Sequence, residues 1–491
     1  MASKYDVIII GAGLAGIAAA LRMKKQGKTV CVLERNATFG GKLASFRWGA
    51  YRWDKGPSLF TLPKQVDALF ELYGKDPKVY FEYEQMENTC QYYFADGTHF
   101  ELSADPADRN QKLRATFGKK AGEEAIDYLN ESALTYDSIG TIFIDRPKYG
   151  FRNLFDRELI KRYPQLATPK VMRSLNQFNT RKLSDSRLVQ LFNRYGTYNG
   201  SNPYEMSGLY SMIPHLEANK GTFFPKKGMR GIVEALALLA VEEGVEFVFN
   251  EKNIIAEHSK GAYHIHTDST EYTTEYLISG VDCASFYKNI LQDKKLADKY
   301  ARQERSTSAL VFYWAVEALV PALDLHNIFF SADYKHEFKQ LFETMEIPDD
   351  PTIYVHVSSV INPEDAPTNG QNWFVMLNMP AGVKPNKNER LKLKELVIAR
   401  IKKALGVDIS EAIKYEAHWD AEGLEQDTGA WQGALYGAAC NGKMAAFTRH
   451  GNKSHKYDKL YFCGGTVHPG GGIPLVLKSA AIVADLIQNN D

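Results

Sequence analysis

The first residues able to do chemistry are the glycines of Gly11-Ala12-Gly13-Leu14-Ala15-Gly16. Their spacing suits a dinucleotide. Gly11 permits a tight turn, Gly13 lets the backbone approach a pyrophosphate, and Gly16 lets a helix pack closely on the preceding strand. The helix that follows offers unpaired N–H groups and its positive dipole end to the phosphates. Glu34, with Arg35 next to it, stands where an acid accepts hydrogen bonds from a ribose hydroxyl. A carboxylate there also disfavours a 2′-phosphate.

Three later features lengthen the ligand. Phe39-Gly40-Gly41-Lys42, followed by Leu43, brings another glycine pair and a cation to where the phosphates of an extended dinucleotide continue. Trp53-Asp54-Lys55-Gly56-Pro57-Ser58, followed by Leu59, reads as a rigid turn able to lie against a flat ring. Far along the chain, Gly464-Gly465-Thr466-Val467-His468-Pro469-Gly470-Gly471-Gly472-Ile473-Pro474 precedes a long apolar stretch, with Pro474 where proline favours helix initiation. Glycines ahead of a helix N-terminus form a second anion cradle, suited to negative charge on the pyrimidine edge of a flavin. One ligand spanning two cradles must be long, and FAD fits better than NAD.

The elements that position these residues are legible around them. Tyr5–Ile10 is a β-branched run with the character of a buried parallel strand, and Ile17–Met23 a small-residue helix. Thr29–Leu33 and Val245–Phe249 predict further strands. Between them, Gly231–Val241 has helical spacing through Ile232, Leu236 and Leu239. Lys459–Cys463 predicts the last strand and Leu475–Ile487 the last helix. Because these elements are scattered, the FAD-binding domain is expected to be discontinuous, over 1–75, 222–300 and 432–491. The remainder, 76–221 and 301–431, is expected to form a substrate domain. Alternation in Leu310–Val316, Thr352–Val357 and Asn372–Leu377 predicts an antiparallel sheet there. Its aromatic richness suits a tunnel, though any single aromatic suits a core equally well.

The pairing of Gly11–Gly16 with Gly464–Pro474 resembles the bacterial phytoene desaturase family of carotenoid desaturases. Gly221-Thr222-Phe223-Phe224-Pro225-Lys226-Lys227-Gly228-Met229 is similar to the family's aromatic-Pro-x-Gly-Gly-Met segment. Leu277–Asp282 is similar to its strand ending in Ser-Asn-Ala-Asp, and Trp431–Gly437 to its Gly-x-x-Tyr-Gly stretch. Two departures stand out: Lys42 replaces the usual arginine, losing its planar fork, and Gly228 is single where the family often has two glycines. The run through Gly471, Gly472 and Leu475–Leu477 looks closest to the branch acting at carotenoid 3,4 bonds.

The resemblance implies an α/β fold: a discontinuous Rossmann-like FAD domain of the glutathione-reductase/amine-oxidase type, joined to a substrate domain with an antiparallel sheet and helices. It implies FAD held by residues 11–16, Glu34, Arg35, Gly41, Lys42, Leu43, Gly56–Leu59, Ile254 (at adenine, through its backbone), Asp282, Gly465, Thr466, Gly472, Ile473 and Pro474. The implied activity is carotenoid desaturation, with 3,4-desaturation of a 1-hydroxylated acyclic or monocyclic carotenoid preferred. Phytoene desaturation, an amine oxidase or saturase, and more remotely a flavin-free lipid-binding protein like a Rab GDP-dissociation inhibitor are the alternatives.

Bulk properties narrow the partners. Lys plus Arg and Asp plus Glu number 59 each in 491 residues, which gives no general footprint for nucleic acid. Five scattered cysteines show neither a CxxC pair nor metal spacing, and read as reduced thiols. No signal peptide is evident, and nowhere do about 20 apolar residues run unbroken. A cytoplasmic protein touching the inner face of a membrane from one side is the expectation. The mix of apolar, aromatic and basic residues between Ile142 and Pro169 is the candidate contact. Oxygen or a quinone is the expected electron acceptor. No spacing defends a catalytic acid or base: His468 reads as structural, His326 and His356 more weakly as functional, and Asp54 and Asp282 as loop-forming or cofactor-side.

Overall fold

A computed structural model describes residues 3–140, 169–442 and 449–489. It is built on two large sheets. In the first, strands run in the order Ile255–Ser259, Ala262–His266, Glu271–Ser279, Ser3–Ile10, Val30–Leu33, Glu246–Val248. Glu271–Ser279 divides one edge between two partners. Its first half pairs with the antiparallel hairpin, and Leu277–Ser279 pairs in parallel with the last strand, Leu460–Phe462. From that last strand across to Glu246–Val248 every pairing is parallel.

A parallel sheet must be covered on both faces, so its strands are apolar throughout rather than alternating. Val7, Ile9, Val30 and Val32 pack under the helices Leu14–Lys25, Arg230–Glu242 and Ile473–Gln488. Ile8, Ile10, Cys31 and Leu33 pack on the opposite side, under Tyr263, Phe286 and Tyr300. The expected helical face of Ile232, Leu236 and Leu239 is wholly buried.

The second sheet runs Ile413–Trp419, Ser308–Val316, Gln371–Met379, Ile353–Val357, His326–Phe329, Asn88–Tyr93, His99–Ser103. It is antiparallel except where His326–Phe329 meets Asn88–Tyr93. One face carries Phe312, Trp314, Trp373 and Val375 against Leu393, Val397 and Ile401 of the helix Lys387–Leu405. The other carries Val311, Met376, Tyr354 and Ile328, paired in register across four strands.

Every strand of the first sheet comes from 1–75, 222–300 and 432–491, and every strand of the second from the rest of the chain. The hairpin Ser45–Trp48/Tyr51–Asp54 departs from that division, because Tyr51 and Trp53 pack beside Tyr313 and Phe374 of the second sheet. The hairpin also corrects the expected turn: Trp53 and Asp54 end a strand, and only Lys55–Ser58 is loop. Among the described residues no helix is long and apolar enough to cross a membrane. The basic, aromatic segment from Ile142 to Pro169 lies almost entirely outside the described residues. All five cysteines are buried and unpaired.

Candidate active site

The two sheets enclose a cavity of about 1690 Å³. A pocket for one drug-sized ligand measures about 300–1,000 Å³, so this space suits two ligands placed end to end. One end is made of backbone. The first helix starts at Leu14 with Gly13 as its cap and no side chain bonded to its first turn. The last helix starts at Ile473 after Gly472, likewise without a side-chain cap. Elsewhere Asp105 and Asn386 fill that role. Two helix starts left uncapped on one cavity make an anion-binding arrangement.

Close backbone approach accounts for the glycines. A Cβ on Gly16 would lie 1.9 Å from the Gly11 carbonyl oxygen, whereas one on Gly13 would meet nothing within 4 Å. Gly16 therefore serves packing and Gly13 serves the ligand. The second glycine pair crosses the first cradle: the Gly40 N–H donates to the Ala12 carbonyl at 3.0 Å, and a Cβ on Gly41 would touch the Gly13 Cα at 3.4 Å. Glu34 is buried, accepting from the N–H groups of Ala12 and Asn36 at 2.8 and 2.9 Å.

Of the expected cofactor residues, all but Ala12 and Gly16 line the cavity. Ala12 acts through its backbone on Glu34, and Gly16 sits behind the turn. Asp282 begins a helical turn by accepting from Ala284 and Ser285, while its Oδ2 is buried without a hydrogen-bond partner, 3.7 Å from Arg305. Lys42 also lines the cavity. Its Nζ donates to the Leu435 carbonyl at 2.6 Å, and burial pushes its pKa down to about 8. Asp54 is a structural group, pairing with Arg52 and capping Met229 and Arg230. His468 lines the cavity, and its backbone is held by His450, Asn452 and Ser479.

Residues that sequence spacing did not single out hold the glycine loop in shape. Arg449 donates to the carbonyls of Tyr436, Gly465 and Ala438 at 2.7–2.8 Å. Asn452 reaches the carbonyls of Phe462 and His468.

Beyond Ser58 the cavity wall changes to side chains. Val311, Met376, Tyr354, Ile328 and Phe374 form one side, and Leu209, Met212, Ile213 and Leu216 contribute elsewhere. From the aromatic runs Tyr354 and Phe374 face the cavity, whereas Trp314 and Trp373 fill the core behind the sheet. Tyr354 Oη lies 2.7 Å from both Ser58 Oγ and His326 Nδ1. Burial drives the His326 pKa down to about 3, which keeps the ring neutral, and its Nε2 has no partner. His356 stands behind it and does not line the cavity.

The sequence reading also missed a buried ion pair on this wall. Arg194 follows the helix Ser186–Asn193, and Glu217 lies in the turn His215–Asn219. Arg194 donates to both Glu217 oxygens at 3.0 Å. The phenols of Tyr92, Tyr195 and Tyr198 also donate to that carboxylate. Burial, then the facing Glu217, raises the Tyr195 and Tyr198 phenols well above their usual range, so they remain donors. The available signal was Tyr195 and Tyr198 one and four residues after Arg194, on one helical face.

Comparison with known proteins accords with this arrangement. Residues 14–488 match the model of the flavin containing amine oxidoreductase family. A 1-hydroxycarotenoid 3,4-desaturase of Flavobacterium sp. (strain P99-3) is 42% identical over 486 residues, covering 99% of each chain. A phytoene desaturase of Fusarium fujikuroi is 28% identical, covering 99% of this chain and 89% of its own. A putrescine oxidase bound to putrescine has the same fold, with a TM-score of 0.67 at 14% identity, over 99% of this chain and 100% of that one. Glycine cradle, uncapped helix starts and full-length similarity together place this chain in the flavin-containing amine oxidoreductase family.

Proposed function

We propose that this protein is an FAD-dependent carotenoid desaturase that introduces a C=C bond, by preference at the 3,4 position of a 1-hydroxylated acyclic or monocyclic carotenoid. The observation that carries the reading is one continuous cavity, backbone-lined at the dinucleotide end and apolar beyond it. Similarity over nearly the full length to a 1-hydroxycarotenoid 3,4-desaturase supports the substrate class.

When bound, FAD accepts the hydride that desaturation removes from an allylic carbon. Gly11, Gly13, Leu14, Ala15, Glu34 and Ile254 would hold its adenosine and diphosphate half. Gly56–Leu59, Gly465, Thr466 and Gly472–Pro474 would hold its ring half. The apolar wall of Val311, Met376, Ile328 and Phe374 positions the polyene and keeps water from the carbon that loses hydride. The second hydrogen leaves the neighbouring carbon as a proton. Because the polyene spreads the positive charge, alignment within about 3–3.5 Å matters more than a strong base.

The two sheets correspond on this reading to a cofactor domain and a substrate domain, with the hairpin of residues 45–54 tying them together. A carotenoid starts in a bilayer, and transfer between apolar phases gains little, so the protein docks peripherally where the substrate resides. Leu134 and Met172, on either side of the segment from Ile142 to Pro169, are 70% and 62% exposed and support that contact. Oxygen or a quinone completes the cycle as electron acceptor.

The test is incubation of the flavin-loaded protein with acyclic, monocyclic and 1-hydroxylated carotenoids, with product chromophore length as readout. One added conjugated double bond in the 1-hydroxylated substrates is expected. Turnover of phytoene alone would overturn the 3,4 preference, and turnover of amines alone would overturn the carotenoid reading.

A further inference from the structure

We propose that the buried cluster of Arg194, Glu217 and Tyr198 is the subsite that receives the tertiary hydroxyl of the substrate and so sets which bond faces the flavin. The inference rests on the carotenoid reading above and deepens it.

A polyene needs no charge along its length, yet an ion pair stands on the side-chain wall of the cavity. Arg194, Tyr198 and Glu217 all line the cavity, beside Leu209, Met212, Ile213 and Leu216. Glu217 is 1% exposed and Arg194 8%. An ion pair so deeply buried is no more stabilising than apolar residues of the same volume, so stability gives no reason for it here.

The cluster's chemistry matches an alcohol. A hydroxyl both donates and accepts. Arg194 lines the cavity with its Nε buried and without a hydrogen-bond partner, so its guanidinium has a donor to spare for the alcohol oxygen, while the alcohol proton goes to the Tyr198 phenol oxygen. The Glu217 carboxylate holds Arg194, Tyr92, Tyr195 and Tyr198 in place, leaving little freedom to be lost on binding.

Its position suits the bond to be oxidised. Tyr92 belongs to the strand beside that of Ile328, which in turn lies beside that of Tyr354, whose phenol touches Ser58. The strand that carries Tyr92, whose phenol reaches the Glu217 carboxylate, thus lies two strand spacings, about 10 Å, from the strand that contacts the expected ring-side loop. A hydroxyl on C1 is two carbons from the 3,4 bond. Anchoring that oxygen fixes the reacting carbons in the neighbouring space, and the polyene extends the other way. A subsite built to hydrogen-bond an alcohol discriminates against the analogue lacking it, because its spare donor, Arg194 Nε, then stays unpaired.

The experiment compares an acyclic carotenoid bearing a C1 hydroxyl with its non-hydroxylated parent, using the flavin-loaded protein. Two variants are needed. The double substitution Arg194→Leu/Glu217→Leu removes both charges together, so that neither is left buried alone, and Tyr198→Phe removes one phenol. The preference in kcat/KM for the hydroxylated substrate should fall at least about 100-fold in the double variant and about 10-fold in Tyr198→Phe, with flavin content unchanged. Anaerobic binding, read from the carotenoid's own absorption shift, should lose the same preference. An unchanged preference in Tyr198→Phe, or equal loss on both carotenoids, would overturn the proposal, even if the double variant does not fold. Wild-type protein inactive on both carotenoids would instead overturn the functional reading beneath it.

Discussion

The two ends of the cavity are built from different material. At the dinucleotide end, contact surfaces are backbone: Gly13, Gly41 and Gly472 leave room, and two uncapped helix starts supply polarity. At the far end they are side chains gathered from four sheet strands and two helical turns, as in the row Val311, Met376, Tyr354 and Ile328. A backbone site is specified by where a Cβ cannot or must not be. A side-chain site is specified by which registers come together, and so it can vary while the cradle stays fixed.

Substitution of glycines should break the comparison most severely and divide the cradle itself. A side chain at Gly16 collides with backbone at 1.9 Å, so Gly16→Val should abolish both folding and flavin. Gly13→Glu should fold with a near wild-type melting temperature and lose flavin absorbance at least about 100-fold, because its Cβ meets open space and its charge opposes a diphosphate. Retention of flavin by Gly13→Glu would sink the cradle assignment.

Next in size is Arg449→Met. Loss of three hydrogen bonds from a charged donor to the glycine loop should cost about 3 kcal/mol or more in denaturant unfolding, with flavin more easily lost. Val311→Trp sharpens the contrast from the other side. It should leave flavin content intact and lower kcat/KM for carotenoids at least 10-fold, on the order expected for overfilling a substrate channel.

Much of the cradle was legible because its residues are local in sequence and their types admit few uses. Gly11 to Gly16, Glu34 and Pro474 each mark a backbone geometry. The parallel strands were equally legible, since a short β-branched apolar run ending at a glycine turn, such as Val7–Ile10, suits a strand buried on both faces. The contact of Lys42 with the Leu435 carbonyl was not legible, because a charge says nothing about direction and 393 residues separate the two. The turn expected over Trp53–Ser58 misled because Gly56-Pro57 marks a loop but not where the strand before it ends. The Arg194–Glu217 pair escaped notice altogether: 23 residues separate the two, and only folding brings them together with Tyr92.

The smallest effect concerns pH. His326 has a folded pKa near 3 against 6.5 when unperturbed. Between those values the unfolded chain binds a proton that the folded chain excludes, so stability falls as pH drops below about 6.5. His356 is shifted the same way and shares the effect. His326→Leu should therefore lose less stability than wild type between pH 7 and 5, measured by urea midpoints. An equal loss would show that His326 is not excluded from protonation by its burial beside Tyr354.

On the proposed reading, one cavity brings a flavin and a 1-hydroxylated polyene together. The direct measurement is anaerobic mixing of the flavin-loaded protein with such a carotenoid, recording flavin and polyene absorption at once. Flavin absorbance should bleach in step with a red shift of the carotenoid by one conjugated double bond, one equivalent for each protein chain. Bleaching by an amine with the carotenoid spectrum unmoved, or a red shift with no change in the flavin, would contradict it.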